Sequence, residues 1–273
     1  MPPKVIKFFH RIRAYWKVWA RLTALQFEQQ VANAKGAAII MIAGKLVRFV
    51  FAFIFIWVVV GQAKVLAGYN LAQAIFILAL FNWGSTITQL FYRGVYQFHD
   101  KVRDGSFDFY LLSPLNELFY SLFSYTDPLD VITVIPYTVI LFWAWHNTGF
   151  PITGLNLLSV LLTLIIMMVF VFAVHVFIIG IGVKYLEVDN TIMLYRDLER
   201  MAAYPIDVYG KFLGFTMTFV LPFAIIATIP AKLIFGLLHP LYLLIFLVIA
   251  LVELKLSLSF WHNALKSYGS ASS

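Results

Sequence analysis

Hydrogen-bonding and ionisable side chains inside apolar stretches are the first candidates for chemistry in this chain. Four of these side chains lie within one apolar stretch at spacings that include three and four residues, so several of them share one helix face. They are Asn82, Ser85, Thr86 and Gln89. His175 lies deep in another apolar stretch. These five residues are the candidate pathway-lining set. Such groups either line a pathway through a helix bundle or form hydrogen bonds with a neighbouring helix, and both interpretations stay open here.

Enzyme signatures are missing from the sequence. The only Gly-Lys pairs begin at Gly44 and Gly210, with Ile39 and Pro205 where a phosphate-binding loop needs its first glycine. His-Glu-x-x-His and Gly-x-Ser-x-Gly do not occur. With no cysteine and only scattered histidines, thiolate chemistry is excluded. We therefore expect no catalytic site, no metal site and no nucleotide bound by this chain.

The composition is that of an integral membrane protein. Apolar residues make up 62% of the chain and charged residues only 12%, which does not describe a soluble domain. The first residues lack the features of a cleaved signal peptide, so we expect the N-terminus to be retained. Membrane orientation explains the net charge of +7 more simply than a nucleic-acid partner does.

The candidate pathway-lining residues must be positioned by spans of about 20 apolar residues, which is the length that crosses a bilayer. We predict an all-α fold with six transmembrane helices in a single transmembrane domain over residues 1–273. The fourth span is too long to stand upright and must tilt or project. The stretch 230–240, with a proline at each end, suits a short re-entrant hairpin. The predicted spans are Ile39–Gly61, Leu71–Phe91, Leu129–Trp145, Leu155–Val183, Phe212–Ile229 and Leu241–Leu258.

The distribution of basic residues predicts the orientation of these spans. If the N-terminus is inside, the outer face keeps little more than Lys64 and Lys232, as the positive-inside rule requires. We therefore expect both termini to be cytoplasmic, in a bacterial cytoplasmic (inner) membrane. Two larger loops, 92–130 and 184–211, then face the cytoplasm. The outer turns lie near 62–70, 146–154 and 230–240.

The N-terminal segment 4–30 has the pattern of an amphipathic interfacial helix. Aromatic and aliphatic residues share one face and cations the other, with no acid before Glu28. Interleaved tryptophans favour a membrane surface, with its anionic lipid, over a nucleic-acid arm. The predicted membrane anchor consists of Lys4, Lys7, Arg11, Trp16, Lys17, Trp19 and Arg21.

A polar island, Tyr92 to Pro114, interrupts the apolar sequence between the second and third spans. Gly105 breaks the local helix, residues 106–108 are able to cap the next one, and Pro114 ends it. The result is a short helix with exposed Phe107, Phe109, Tyr110, Leu111 and Leu112. On physical grounds these apolar side chains either fit a partner's groove or rest on the bilayer.

Three stretches resemble one protein family. DGSFDFYLLSPLNELF resembles the Gly-x-Leu/Phe-Asp-x-x-Leu-Leu-x-Pro-Leu segment of ABC-2-type permease subunits, in the six-span subgroup of permease components of ABC transport systems. YPIDVYGKFLGFTMTFVLPFAIIATIPAKLIFG and ALKSYGSASS are similar to that subgroup's fifth-span region and its C-terminal ending. The resemblance covers essentially the whole chain. Ser113 departs from it, because a basic residue is common there.

The resemblance implies a type V exporter-like ABC-2 architecture with two permease subunits, identical or related. Two separately encoded cytoplasmic ABC ATPases would bind ATP and Mg, so this chain is not itself an enzyme. Segment 92–116 would carry the coupling helix that docks on the ATPase, and loop 184–211 a second contact. The ATPase-coupling residues by this resemblance are Gly105, Phe107, Asp108, Leu111, Leu112 and Pro114.

Other function classes remain open from the residues alone. Aromatic-rich spans favour an apolar or amphipathic cargo. The alternative is an ion-coupled secondary transporter, which needs intramembrane carboxylates or a relay. Its candidates are Asp127, Asp130, His175 and Glu253. A membrane enzyme would need a convergent polar site, which the scattered histidines do not supply.

Overall fold

The computed structural model describes residues 3–33, 35–63, 65–185 and 188–269, and these residues form helices and no β-strand. The first half contains α1 (Pro3–Asn33), α2 (Lys35–Ala63), α3 (Leu71–Tyr92), α4 (Val95–Arg103), α5 (Phe107–Leu111), α6 (Glu117–Phe123) and α7 (Pro128–Asn147). The second half contains α8 (Gly154–Tyr185), α9 (Val188–Met201), α10 (Lys211–Phe215), α11 (Thr228–Ile234) and α12 (Tyr242–Lys266).

Within the described residues, four helical segments are long and apolar enough to cross a bilayer: Leu71–Arg103, Leu129–Asn147, Gly154–Tyr185 and Tyr242–Lys266. They contain the second, third and fourth predicted spans and all but the first residue of the sixth. The 32 residues of α8 extend about 48 Å, so the predicted excess length is confirmed. α8 packs chiefly on α12, and α3 on α7.

The first predicted span, Ile39–Gly61, lies inside α2. Ile56 is buried, while Phe51 and Trp57 expose more than half of their surface. Such large apolar side chains suit contact with lipid. The side chains of Lys45 and Arg48 lie outside the described residues. Whether α2 crosses the membrane therefore stays a prediction.

The fifth predicted span, Phe212–Ile229, is wrong as a continuous helix. The five-residue α10 passes into a π-helical turn, Thr216–Val220, and the helix ends at Leu221, whose φ and ψ are −124° and 80°. Pro222 causes the break, because proline lacks an N–H donor and disfavours helical geometry in the preceding residue. After it, residues 222–235 are buried apart from half-buried Lys232.

The end of the predicted cytoplasmic loop 184–211 is also misplaced. Asp207 Oδ1 lies 2.6 Å from Lys232 Nζ, and its Oδ2 accepts a 2.9 Å hydrogen bond from the Tyr69 hydroxyl. Tyr69 and Lys232 belong to two turns that were both predicted on the outer face. Asp207 therefore lies on the same side of the fold as these turns, away from the start of its own loop.

Gly94 lies between α3 and α4, where the chain crosses α6. Its N–H donates to the Leu122 carbonyl oxygen at 3.0 Å. Its φ of −55° suits any residue, so the requirement for glycine is one of space. A Cβ atom here would lie 2.5 Å from the Ser121 carbonyl oxygen and 2.7 Å from that of Leu122.

Gly94→Ala is expected to destabilise the fold by about 3 kcal/mol, because the clashing atoms are backbone oxygens of α6 that cannot rotate away. The measurement is the unfolding temperature of the purified protein in detergent. Gly154→Ala is the matched control, since a Cβ there meets nothing within 4 Å. Equal unfolding temperatures for the two variants would contradict the assignment.

Candidate functional site

The short helix predicted within the polar island is present as α5. Gly105, with φ of +78°, separates α4 from α5, which confirms the predicted break because a left-handed φ favours glycine. α5 spans only Phe107–Leu111, so it ends three residues before Pro114, and no side chain caps its N-terminus, where residues 106–108 were predicted to do so. The Ser106 N–H instead donates to Asp104 Oδ1 at 2.8 Å.

Three apolar side chains of this turn project from the protein. Phe109 is 73% exposed, Leu112 82% and Leu111 42%, as predicted. Phe107 does not belong with them, because it is fully buried, and its predicted exposure is wrong. Pro114 is exposed, and Gly105 is half-buried. The available apolar surface is therefore Phe109, Leu111 and Leu112, which we call the α5 patch.

Phe107 is buried because α5 packs on the C-terminal end of α12. Its ring centroid lies 6.1 Å from that of Trp261 and 5.2 Å from that of Tyr268. The Tyr268 hydroxyl donates to Asp108 Oδ1 at 3.0 Å. Burial, and then this hydrogen bond, raise the Tyr268 pKa to about 12. The α5 patch is thus fixed to the end of a membrane-length helix.

The N-terminal helix α1 packs across the same end of the bundle. The Trp19 and Phe91 rings stack with centroids 5.2 Å apart, and Thr23 Oγ1 donates to Thr126 Oγ1 at 3.3 Å. Among the predicted anchor residues, Arg11, Trp16, Lys17 and Arg21 are exposed, Trp19 is half-buried, and the side chains of Lys4 and Lys7 lie outside the described residues. The helix is confirmed over 4–30, while its contact with lipid stays a prediction.

A cavity of about 280 Å³ lies between α3, α7 and α9. The four polar residues of α3 singled out in the sequence, Asn82, Ser85, Thr86 and Gln89, all line it. α7 contributes Asp130, Thr133 and Tyr137, α9 contributes Arg196, Glu199 and Arg200, and Tyr204 follows α9. His175 is not among the lining residues. Its Nδ1 atom donates to the Val171 carbonyl oxygen at 2.8 Å, which agrees with the structural interpretation.

Glu199 is the residue of this cavity that sequence reasoning missed. It is 4% exposed, and its Oε1 atom is buried without a hydrogen-bond partner in the described part of the chain. The Ser85 side chain interacts with the same carboxyl group, and its hydroxyl oxygen accepts a 3.2 Å bond from Gln89 Nε2. Ser85 lies well within the apolar helix α3, so Glu199 reaches the level of a membrane span.

An ion-pair network borders the cavity at Asp130. Arg93, at the end of α3, lies 3.1 Å from Asp127 Oδ2 and pairs with Asp130 Oδ2. Both aspartates are buried, with 1% and 3% of their surface exposed. Asp127 also begins α7, because its Oδ1 accepts from the Leu129 N–H at 2.9 Å. The network therefore fixes α3 to the start of α7.

Membrane-length apolar helices beside a polar cavity are the architecture expected of a membrane transport component. A family model described as "ABC-2 family transporter protein" matches residues 46–272, and the chain belongs to that family. The predicted resemblance to an ABC-2-type permease is confirmed. No match is found among curated proteins.

Proposed function

We propose that this chain is the transmembrane permease subunit of an ABC exporter in a bacterial inner membrane. It would move an apolar or amphipathic substrate with energy from ATP hydrolysed, with Mg, on a separate cytoplasmic ATPase. Family membership over residues 46–272 carries this proposal. A second permease subunit, identical or related, would complete the pathway.

The α5 patch is the surface that we assign to ATPase docking. Exposed phenylalanine and leucine side chains on a short helix suit a groove on a protein partner. Movement of the docked ATPase would reach α12 through Phe107, Trp261 and Tyr268. Because α12 packs along α8, displacement of α5 would shift this helix pair relative to α3 and α7.

The contacts of Asp207 support a revised path for the chain. Residues 188–209 would make the fifth crossing, and residues 211–235 would enter from the outer face, turn at Pro222 and return. An irregular backbone at bilayer depth is tolerated where protein covers it, and residues 222–235 are almost entirely buried. Both termini would still be cytoplasmic, with α1 lying along the lipid surface.

The ion-coupled alternative gains one specific observation. Asp130 and Glu199 line the same cavity at the level of α3, and intramembrane carboxylates are the groups that ion-driven transporters use. In this alternative, transport would depend on an ion gradient and continue without an ATPase.

The two functions are separated by reconstitution. The chain is co-expressed with an ABC ATPase from the same genome, purified by a tag on the permease, and placed in proteoliposomes. We expect the ATPase to co-purify and the permease to raise its rate of ATP hydrolysis. Failure to co-purify, together with transport driven by a proton gradient alone, would establish the alternative instead.

A further inference from the structure

The cavity between α3, α7 and α9 contains a carboxylate oxygen that the protein leaves unsatisfied. Glu199 Oε1 is buried and has no hydrogen-bond partner among the described residues. A buried acceptor without a donor is costly, and native structures rarely keep one without a reason. Because Glu199 lines the cavity, a molecule bound there is able to supply the missing donor.

Arg196 and Arg200 act on the Glu199 carboxyl group through their charge, but neither makes a hydrogen bond to its Oε1. Arg200 Nη1 lies 2.9 Å from Asp197 Oδ1, and the Arg196 guanidinium carbon lies 5.4 Å from the centroid of the Tyr96 ring. Arg93 is held in its ion-pair network. The unsatisfied polar position in the cavity is therefore an oxygen of a carboxyl group, and the strongest partner for this group in its ionised form is a donor carrying positive charge.

The rest of the lining suits the apolar part of a small molecule. Leu78, Phe81, Tyr137 and Tyr204 contribute aliphatic and aromatic surface. Aromatic rings stabilise a nearby cation through their faces. The volume of about 280 Å³ is near the lower end, about 300 Å³, of the range for ligand pockets. A compact molecule with one charged end matches both the size and the mixed lining.

We propose that this cavity binds a small amphiphilic amine, whose ammonium group pairs with Glu199 and whose apolar part packs against Leu78, Phe81 and Tyr137. The proposal rests on the permease function and names the chemical class of its cargo. The binding site lies within one permease subunit, on faces of α3, α7 and α9.

Three probes with the same ring and side-chain length test the proposal. Tryptamine ends in an ammonium group, 3-propylindole in a methyl group and indole-3-propionate in a carboxylate. Binding to the full-length permease in lipid nanodiscs is measured by titration calorimetry at pH 8, where the amine is still largely protonated. Titration of empty nanodiscs corrects for partition into lipid. Tryptamine is expected to bind about tenfold or more tightly than either of the other probes.

Glu199→Gln is expected to weaken tryptamine binding about tenfold and to leave 3-propylindole unchanged. Glu253→Gln is the matched control, because Glu253 also has a buried unpartnered oxygen but lies on α12 and does not line the cavity. Glu199→Asp keeps the carboxylate and the preference for tryptamine, which provides a second test if the glutamine variant does not fold.

Three results would overturn the proposal: no saturable binding of tryptamine to the folded wild-type permease, equal affinity in Glu199→Gln, or tighter binding of indole-3-propionate. These outcomes differ from a failure of the permease function. Co-purification with the ATPase uses the α5 patch, so Glu199→Gln should retain it. Loss of ATPase association in the wild type would refute the permease function even if tryptamine binds.

Discussion

Phe109→Asp combined with Leu112→Asp is expected to abolish co-purification of the ATPase with this chain. Both side chains expose more than 70% of their surface, so they contribute little to the fold and are available to a partner. Each behaves as an interface anchor worth about 2 kcal/mol or more. Their joint loss weakens association by about a thousandfold. The measurement is the ratio of ATPase to permease after affinity purification of the co-expressed pair.

The matched control is Phe109→Leu combined with Leu112→Met, which keeps an apolar surface of similar size. This variant is expected to retain the ATPase. Both double variants should insert into the membrane and unfold at the wild-type temperature, because the exchanged side chains lie outside the core. If the aspartate variant co-purifies in the wild-type ratio, the α5 patch is not the docking surface and the alternative of a segment resting on the bilayer gains support.

Hydropathy predicted those spans in which an apolar composition coincides with a continuous helical backbone. α3, α7, α8 and α12 are long, apolar and uninterrupted across the predicted windows. The window 212–229 is equally apolar, but Pro222 removes a backbone donor in its middle and the helix ends there. A hydropathy average does not register that single position. α9 shows the converse error: it is a continuous helix that was assigned to a loop, because its cavity-facing residues are polar and lower its hydropathy.

The site was predictable where it depends on local sequence. Gly105 marked the start of α5, and the periodicity of α3 grouped the four residues that line the cavity. The burial of Phe107 was not predictable, because its cover comes from α12. Asp108, the residue after Phe107, accepts a hydrogen bond from Tyr268, which lies 160 positions further along the chain. Nothing in the sequence of the polar island indicates that contact.

Glu199 was missed although its helix carries a readable pattern. Ile192, Tyr195 and Glu199 follow at spacings of three and four, and all three are buried, so they share the inward face of α9. That periodicity in a polar segment indicates a packed amphipathic helix. α9 packs mainly on α4 and α8, however, and only the tertiary structure brings Glu199 to the cavity that the polar residues of α3 line.

Arg93→Gln is expected to destabilise the protein by about 3–5 kcal/mol, because Asp127 and Asp130 are buried and lose the guanidinium that compensates them. The measurement is the unfolding temperature in detergent, followed by tryptophan fluorescence. Arg200→Gln is the control. It removes an ion pair whose side chains are 57% and 70% exposed, which is worth at most about 1 kcal/mol.

Removing the whole network distinguishes lost charge compensation from lost packing. Arg93→Gln combined with Asp127→Asn and Asp130→Asn leaves no uncompensated charge, and asparagine at 127 retains an acceptor for the Leu129 N–H that begins α7. This triple variant should recover most of the stability lost by Arg93→Gln. If it is no more stable than the single variant, the arginine stabilises the protein mainly through packing of its side chain. If it recovers, the junction of α3 and α7 depends on charge balance, and a change in local charge at the cavity would alter how tightly these two helices are joined.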